Sequence, residues 1–468
     1  MTRALRRALA LMLSLPATVA AQPAALSADE LLRAVDRALP LVEQARQEVV
    51  AAEGELREAA GAFDVTVGAA AKRTRGFYDN DRFGAYVEQP LAPWGLNVYG
   101  GYRASRGLFA PYDGLAATLS RGELSAGFDL PLLKHRAIDG RRAARAVAEL
   151  GVDVAGRRLE KTRLTLFKDA LAAYWDWAAA GQQLRIAGAL LDLAEARDQQ
   201  LADAVALGQT AAIERTDNRR AILQRRAALV AAERAVQRQA IDVSLYLRGP
   251  DGAPQRPALA RVPPLPPPDA DVAGDEATLV AAALQRRPEL AALAAKRRQQ
   301  EVELRLAENS RLPSLTWFAD AARDLGDGTA SRAGASFETG LSFSLPVQRR
   351  QAIGKVIQAR ATLAVIDQDI RWIQDTIRAE VQDALSALAA ARAALDLVRE
   401  EVAVARQLEG LERDRFALGD STQFVVNLRE LATADAAVRE ARALADYQKA
   451  LVAVEAATGR LVDRVPRP

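Results

Sequence analysis

The sequence predicts a mainly α fold with β, in which long antiparallel coiled-coil helices are joined to β-hairpins. Three observations predict it. Residues 363–405 carry an unbroken heptad column, two separate stretches of about ten residues alternate apolar and polar side chains, and the order of these landmarks occurs twice along the chain.

The elements follow from the N-terminus. Arg3, Arg6 and Arg7 precede an apolar stretch from Ala8 to Leu15, and small residues close it at Val19-Ala20-Ala21, the layout of a cleavable secretory signal over residues 1–21. The whole chain of 468 residues has 63 Lys and Arg against 60 Asp and Glu. That basic excess of three is the three arginines of the signal, so the mature chain reads as neutral and no nucleic-acid-binding stripe is implied. No cysteine stands near the processing site, which argues against a lipid-anchored N-terminus. Past the signal no apolar run is long enough for a membrane-spanning helix. With no cysteine and one histidine, His135, the chain has no disulfide framework, no thiolate metal site and little imidazole chemistry. No glycine-rich phosphate cradle accompanies His135, so the sequence predicts neither an enzyme nor a cofactor.

Two repeats share one order: helix, strand region, long helix, sharp turn, helix. The first is placed at residues 22–248 and the second at 275–459, with a short tail at 460–468. Between them, residues 249–274 hold eight of the chain's twenty prolines and read as an extended connector. Phe128-Asp129-Leu130-Pro131 returns as Phe343-Ser344-Leu345-Pro346, Ala206-Leu207-Gly208 as Ala417-Leu418-Gly419, and Gly249 as Gly459. Glycine after a helix accepts the left-handed backbone that ends it.

Helix lengths suggest the packing. Gly140 to Leu207 spans roughly 100 Å at about 1.5 Å per residue, too long for the helix of Ala211 to Arg248 alone, so an early helix, Leu31 to Ala62, is expected to stack in line with it. In the second repeat Asp275–Asn309 and Thr422–Thr458 would together face Val347–Ala417. One column of the seam runs Leu363, Ile370, Ile377, Ala384, Ala391, Val398 and Ala405; its companion starts at Ile366 and drifts by one residue to Val402, as a nearly straight helix requires.

The alternating stretches are Arg121–Leu130 and Phe337–Pro346. Apolar and polar faces over about ten residues are the pattern of a membrane barrel strand, and a half-buried soluble sheet gives the same one. Residues 63–131 and 313–346 hold 15 of the 24 aromatic residues, among them Trp94, Tyr99, Tyr102, Phe109, Tyr112 and Trp317 as candidates for interfacial girdles. Four strands cannot close a barrel, so the chain is expected to oligomerise.

On these residues the mature chain resembles the outer-membrane efflux protein family, the TolC-type channels. The closest likeness lies in the Leu-Pro junctions at Pro131 and Pro346, the turns at Gly208 and Gly419, and the run Arg415-Phe416-Ala417-Leu418-Gly419-Asp420-Ser421-Thr422. The resemblance implies a homotrimer in outer-membrane lipid, with a 12-stranded barrel continued by a periplasmic helical barrel. It implies a passive channel for tripartite efflux or type I secretion, coupled through a periplasmic adaptor (membrane fusion) protein to an inner-membrane RND, ABC or MFS transporter. It places adaptor docking at Leu207, Gly208, Gln209 and Thr210 and at Leu418, Gly419, Asp420, Ser421 and Thr422, whose polar residues would cap the next helices. The arginine and aspartates that hold the family's pore shut have no counterpart at Ser421 and Val425. Glu412, Arg413, Asp414, Arg415, Asp420, Arg429 and Glu430 are the alternative candidates for a polar constriction, and a solvated helix face is the competing reading.

The first strand region is about twice as long as the second. Either one hairpin carries a large folded loop, or more than four strands reach the membrane; the loop or an extended hairpin is the reading adopted. The alternative to a channel is a periplasmic adaptor or structural coiled-coil protein, which would carry one central hairpin between globular β flanks.

Overall fold

The computed structural model describes residues 24–268 and 274–465, so the signal of residues 1–21 and part of the connector and tail lie outside the described residues. Among the described residues eight α-helices and one sheet make up the architecture. The helices are α1 (Ala28–Ala38), α2 (Pro40–Gly61), α3 (Gly140–Ala206), α4 (Ala212–Ser244), α5 (Glu276–Arg286), α6 (Pro288–Asn309), α7 (Arg350–Ala417) and α8 (Gln423–Ala457). The strands are β1 (Thr66–Thr74), β2 (Asn80–Pro90), β3 (Asn97–Gly107), β4 (Glu123–Pro131), β5 (Ser314–Asp324) and β6 (Ala335–Ser344).

The long helices act as rails. α3 packs against α2 and α4, which follow one another along its length, and α7 against α6 and α8 in the same way; α3 also meets α6 and α8 and so joins the two repeats. Both heptad columns of α7 are buried or half-buried along their whole length. The early helix of each repeat is not continuous, as the sequence reading had it. Pro40 and Pro288 stand at the first position of α2 and α6, and the residues before them, Leu39 and Arg287, take extended backbone with ψ of 126° and 123°. A proline has no N–H to give to the preceding turn and its ring excludes helical backbone just before it, so each helix restarts at an angle.

That break creates a collar around the middle of the helical layer. α1 turns in against α3, and Leu31, Leu32 and Val35 bury against Phe167, Leu171 and Trp177 of α3, Val243 of α4 and Leu461. Buried Arg163 ties the collar together, donating to Asp36 at 2.7 Å and to the carbonyl of Val465 at 3.0 Å. The connector straps across it: the Leu26 N–H donates to the Arg261 carbonyl at 2.9 Å, Arg261 pairs with Glu30 at 2.7 Å, and Arg392 of α7 donates to the Pro268 carbonyl at 2.7 Å.

The sheet corrects the strand count. All six strands lie in one antiparallel sheet in chain order, so the first repeat contributes two hairpins and the second one. The expected large loop of the first repeat is instead β1 and β2, paired over all nine residues of β1 from Thr66 opposite Glu88 to Thr74 opposite Asn80. Trp94 belongs to neither strand; it sits at φ 57° in the tight turn between β2 and β3.

Candidate functional site

Residues directly opposite in an antiparallel ladder share a face, so the registers assign every strand residue to one of two surfaces. One surface carries Val67, Ala69 and Ala71 of β1, Phe83, Ala85 and Val87 of β2, Val98 and Tyr102 of β3, Leu124 and Phe128 of β4, Trp317 of β5, and Phe337, Leu341 and Phe343 of β6. Its charges, Arg73, Asp81, Arg106 and Arg323, all stand one residue from the strand ends farthest from the helices. An apolar band capped by charge at one rim is the pattern expected of the lipid-facing surface of a membrane barrel. Many of its side chains are open to the surroundings, Val67 at 74% and Phe337 at 72%.

The opposite surface is polar. It carries Lys72, Arg82, Glu88, Arg103, Glu123, Asp129, Asp320 and Glu338. Arg103 pairs with Glu123 at 2.7 Å, and Tyr99 donates to Asp320 at 2.7 Å. Tyr99 therefore faces the polar side, not an interfacial girdle, whereas Tyr102 and Trp317 do lie on the apolar surface. On each hairpin one aromatic ring of the polar side lies over a directly opposed glycine: Tyr86 over Gly68, Tyr99 over Gly127 and Phe318 over Gly340. A Cβ on those glycines would collide with the ring, so the pairs fix register.

At the far end of the helices the two tips have one geometry. Gly208 and Gly419 adopt φ of 73° and 83°. After α3 the Gly208 N–H donates to Val205 and Gln209 to Ala204; after α7 Gly419 donates to Phe416 and Asp420 to Arg415. Both are paired-bond helix stops that only glycine enters without strain. The polar residues that follow do not cap as expected. Ala211 occupies the cap position of α4, and Thr422, at the cap of α8, makes no side-chain bond there. Ser421 instead donates its hydroxyl to Glu412. Leu207 and Leu418 project outward, 72% and 79% exposed, and each is joined by an exposed apolar residue of the next helix, Ile213 and Phe424. Sequence reading passed over these two; the signal was there, since they stand at the same distance beyond Gly208 and Gly419.

About 15 Å along the helices from the tips, at some ten residues of 1.5 Å each, lies a buried polar knot. Glu430 of α8 is 1% exposed. It accepts from Arg197 of α3 at 3.0 Å, Arg225 of α4 at 2.9 Å and Arg413 of α7 at 3.2 Å, so one carboxylate ties all four helices. Asn427 accepts from Arg197 at 2.9 Å, and Arg225 also donates to the Leu190 carbonyl at 2.8 Å. Burial opposes the charge of Glu430, but the hydrogen bonds and positive charge of Arg197 and Arg225 outweigh it and hold its carboxyl below the ordinary value.

Of the seven constriction candidates, Arg413 and Glu430 meet in this knot. Glu412 is buried separately with Ser421 and stands 3.7 Å from Arg415, Asp414 and Asp420 are exposed, and Arg429 is half-buried with its Nε unpartnered. Arg197 and Arg225 were missed. His135 serves the junction between sheet and helices: at φ 71°, its N–H donates to Asn309 at 2.8 Å and its carbonyl accepts from Arg142 at 2.5 Å.

Comparison with known proteins agrees with this architecture. Residues 279–460 match the family model described as outer membrane efflux protein. No curated protein matches the chain by sequence at a significant level. Among solved structures, the open state of the Neisseria gonorrhoeae MtrE outer membrane channel superposes with a TM-score of 0.65 at 14% identity, over 94% of this chain and 91% of that one. VceC, an outer membrane protein of Vibrio cholerae, gives 0.62 at 16% identity over 92% and 96%, and the Campylobacter jejuni CmeC outer membrane channel 0.60 at 14% over 94% and 87%. The second repeat thus carries the family's sequence signature, and the whole chain carries the TolC-like fold.

Proposed function

We propose that three copies of this chain close edge to edge into a passive conduit through the outer membrane and across the periplasm, docked at its helix tips by an adaptor that links it to an inner-membrane pump. The observation that carries the reading is a matched pair of open flanks. β6 runs into α7 on one side of the molecule, and α2 runs into β1 on the other; neither outer strand has a partner among the described residues. The helical flanks are apolar and open in the same way. Leu397, Val404 and Leu411 recur at heptad spacing on α7, and Leu223 and Val230 on α4, all exposed in the single chain. Sheet edges and apolar helix seams left bare on both sides require further copies of the same surface.

Within the tube the polar sheet face lines the lumen and the apolar face meets lipid. The knot at Glu430 acts as a latch, joining the α3/α4 coil to the α7/α8 coil so that the tips stay drawn in until an adaptor spreads them. The exposed leucines at 207 and 418, with Ile213 and Phe424, form the docking surface. Reconstitution tests this: the purified protein should be a trimer of the outer-membrane fraction that conducts ions across a planar bilayer. Recovery as a soluble periplasmic monomer overturns it.

A further inference from the structure

We infer that β1 of one copy pairs antiparallel with β6 of the next, Lys72 opposite Glu338, so that a trimer encloses an 18-stranded barrel, six strands from each of three chains. The inference rests on the trimeric reading above and asks what each copy contributes to the wall. Three observations lead to it. The hairpin β1–β2 continues the same sheet and keeps both of its surfaces, with Val67, Ala69 and Ala71 on the apolar side and Lys72 on the polar side. It also carries the same aromatic-over-glycine pair, Tyr86 over Gly68, as the other two hairpins. A loop folded outside the membrane would have no reason to match the wall in these respects.

The second observation is charge. On the polar surface Lys72 is the only charged residue of β1, and its neighbour across the ladder is Arg82. Glu338 is the only charged residue of β6 there, and its neighbour is Asp320. Like charges directly opposite repel, so each edge carries a like-charged doublet, positive on one flank and negative on the other, whose inner members Arg82 and Asp320 have partners in Asp113 and Tyr99. Neither edge member, Lys72 or Glu338, forms an ion pair within the described residues; Asp113, the acid whose charge the Lys72 ammonium favours, is already paired with Arg82. Setting the two edges together supplies each doublet with the opposite sign.

The third is register. With Lys72 opposite Glu338, Thr66 falls opposite Ser344 and Thr74 opposite Ser336, so every residue of β1 is paired. The small Ala69 then faces the larger Leu341 on the lipid side. Followed straight across one protomer, Thr66 is in line with Glu88, Tyr99, Gly127, Asp320 and Glu338, so this seam displaces the line by six residues per copy. Six residues of about 3.3 Å against six strands of about 4.8 Å correspond to a strand tilt of about 35°, inside the range of closed barrels. The barrel would be about 34 Å across its backbone, against about 23 Å for twelve strands at the same tilt. Its circumference of about 105 Å matches twelve helices abreast, four from each copy, at about 9 Å spacing.

The chain has no native cysteine, so the seam can be read by cross-linking the full-length protein in its outer-membrane form. Ala69→Cys combined with Leu341→Cys should yield a covalent trimer on oxidation or with a short bis-maleimide, while each single variant stays monomeric on a denaturing gel. Val98→Cys with Leu341→Cys reports the narrower wall in which β1–β2 stands outside and β3 meets the next copy. A covalent trimer from that pair, or from neither pair in a protein that is still trimeric by light scattering, overturns the 18-stranded seam and leaves the channel reading intact. Absence of any trimer defeats both. A charge exchange guards against cysteine artefacts. Lys72→Glu and Glu338→Lys should each lower the temperature at which the detergent-solubilised trimer dissociates, and the double exchange should restore it. Two losses that simply add would count against the pairing.

Discussion

In the collar, Phe167, Leu171 and Trp177 of α3 are wholly buried among leucines and valines of α1 and α4; on the same helix, about 30 Å beyond Trp177 towards the tip at 1.5 Å per residue, Arg197 reaches across to a buried carboxylate. The apolar cluster of the tip half is small, Leu191, Ala194 and Ile222 with Leu229 against it. The collar is held by area and close packing, which change little with pH or salt. The tip is held by charges whose partners lie on four helices, so losing one contact loosens all of them. The proposed tube, which must stay shut and yet open on demand, needs a permanent clamp and a releasable one, and the collar and the Glu430 knot suit those two parts at different heights on the same rails.

The largest effect should come from the clamp. Phe167→Ala removes a fully buried ring from the collar and should lower the stability of the chain by roughly 3–5 kcal/mol, read as a fall in the melting temperature. Under conditions where the variant is folded, its single-channel conductance should equal that of the parent. A conductance change at this site would break the distinction between clamp and latch.

Next in size is the latch. Glu430→Gln leaves the guanidiniums of Arg197 and Arg225 buried without their counter-charge, a loss of about 3 kcal/mol or more if the region remained closed. Because the tip can open, the strain should appear locally: faster amide exchange over 409–430, higher conductance, and little change in the melting of the collar. Unchanged conductance would remove Glu430 as a latch.

Acid should act on the same carboxylate. Its pKa is held below the ordinary 4.5, so its contribution to closure is complete above that value and is lost as the pH falls through the lower, folded value. Conductance should therefore be flat from neutral pH down to about 4.5 and rise below it, and Glu430→Gln should abolish the rise. A parent channel that opens as pH increases would have the sign wrong.

The difference between clamp and latch also marks where sequence reading succeeds. The heptad columns of α7 and the turns at Gly208 and Gly419 were legible because they are local and repeated. The strand β1 was not, because Ala69, Ala70 and Ala71 present the same side chain to both faces and erase the alternation that identifies a strand. Pro40 and Pro288 were plain in the sequence, but apolar periodicity runs across both and hides the break. The latch was half seen. Arg413 and Glu430 stand in a visible charge run, whereas Arg197 and Arg225 lie more than 200 residues from Glu430 and meet it only through packing. One sign was available: in the duplicated plan Arg197 and Arg225 fall where the second repeat has Leu408 and Ala436, so the latch lies where the two repeats differ in charge.

The smallest effect on stability should come from the outermost residues, and it separates docking from closure. Leu207 and Leu418 follow helices that end on their own backbone bonds through Gly208 and Gly419, and their side chains are mostly exposed. Replacing both by serine removes apolar surface that the single chain does not bury, so melting should shift by no more than about 0.5 kcal/mol in equivalent stability, as for other exposed positions. Channel conductance in the bilayer should also stay at the parent value, since Glu430 and its three arginines are untouched. What should fall is capture of the adaptor, measured by co-purification or by its effect on conductance when added to the bilayer. A double variant that still binds adaptor as the parent does would move docking away from the tips and leave these leucines as parts of the turn alone.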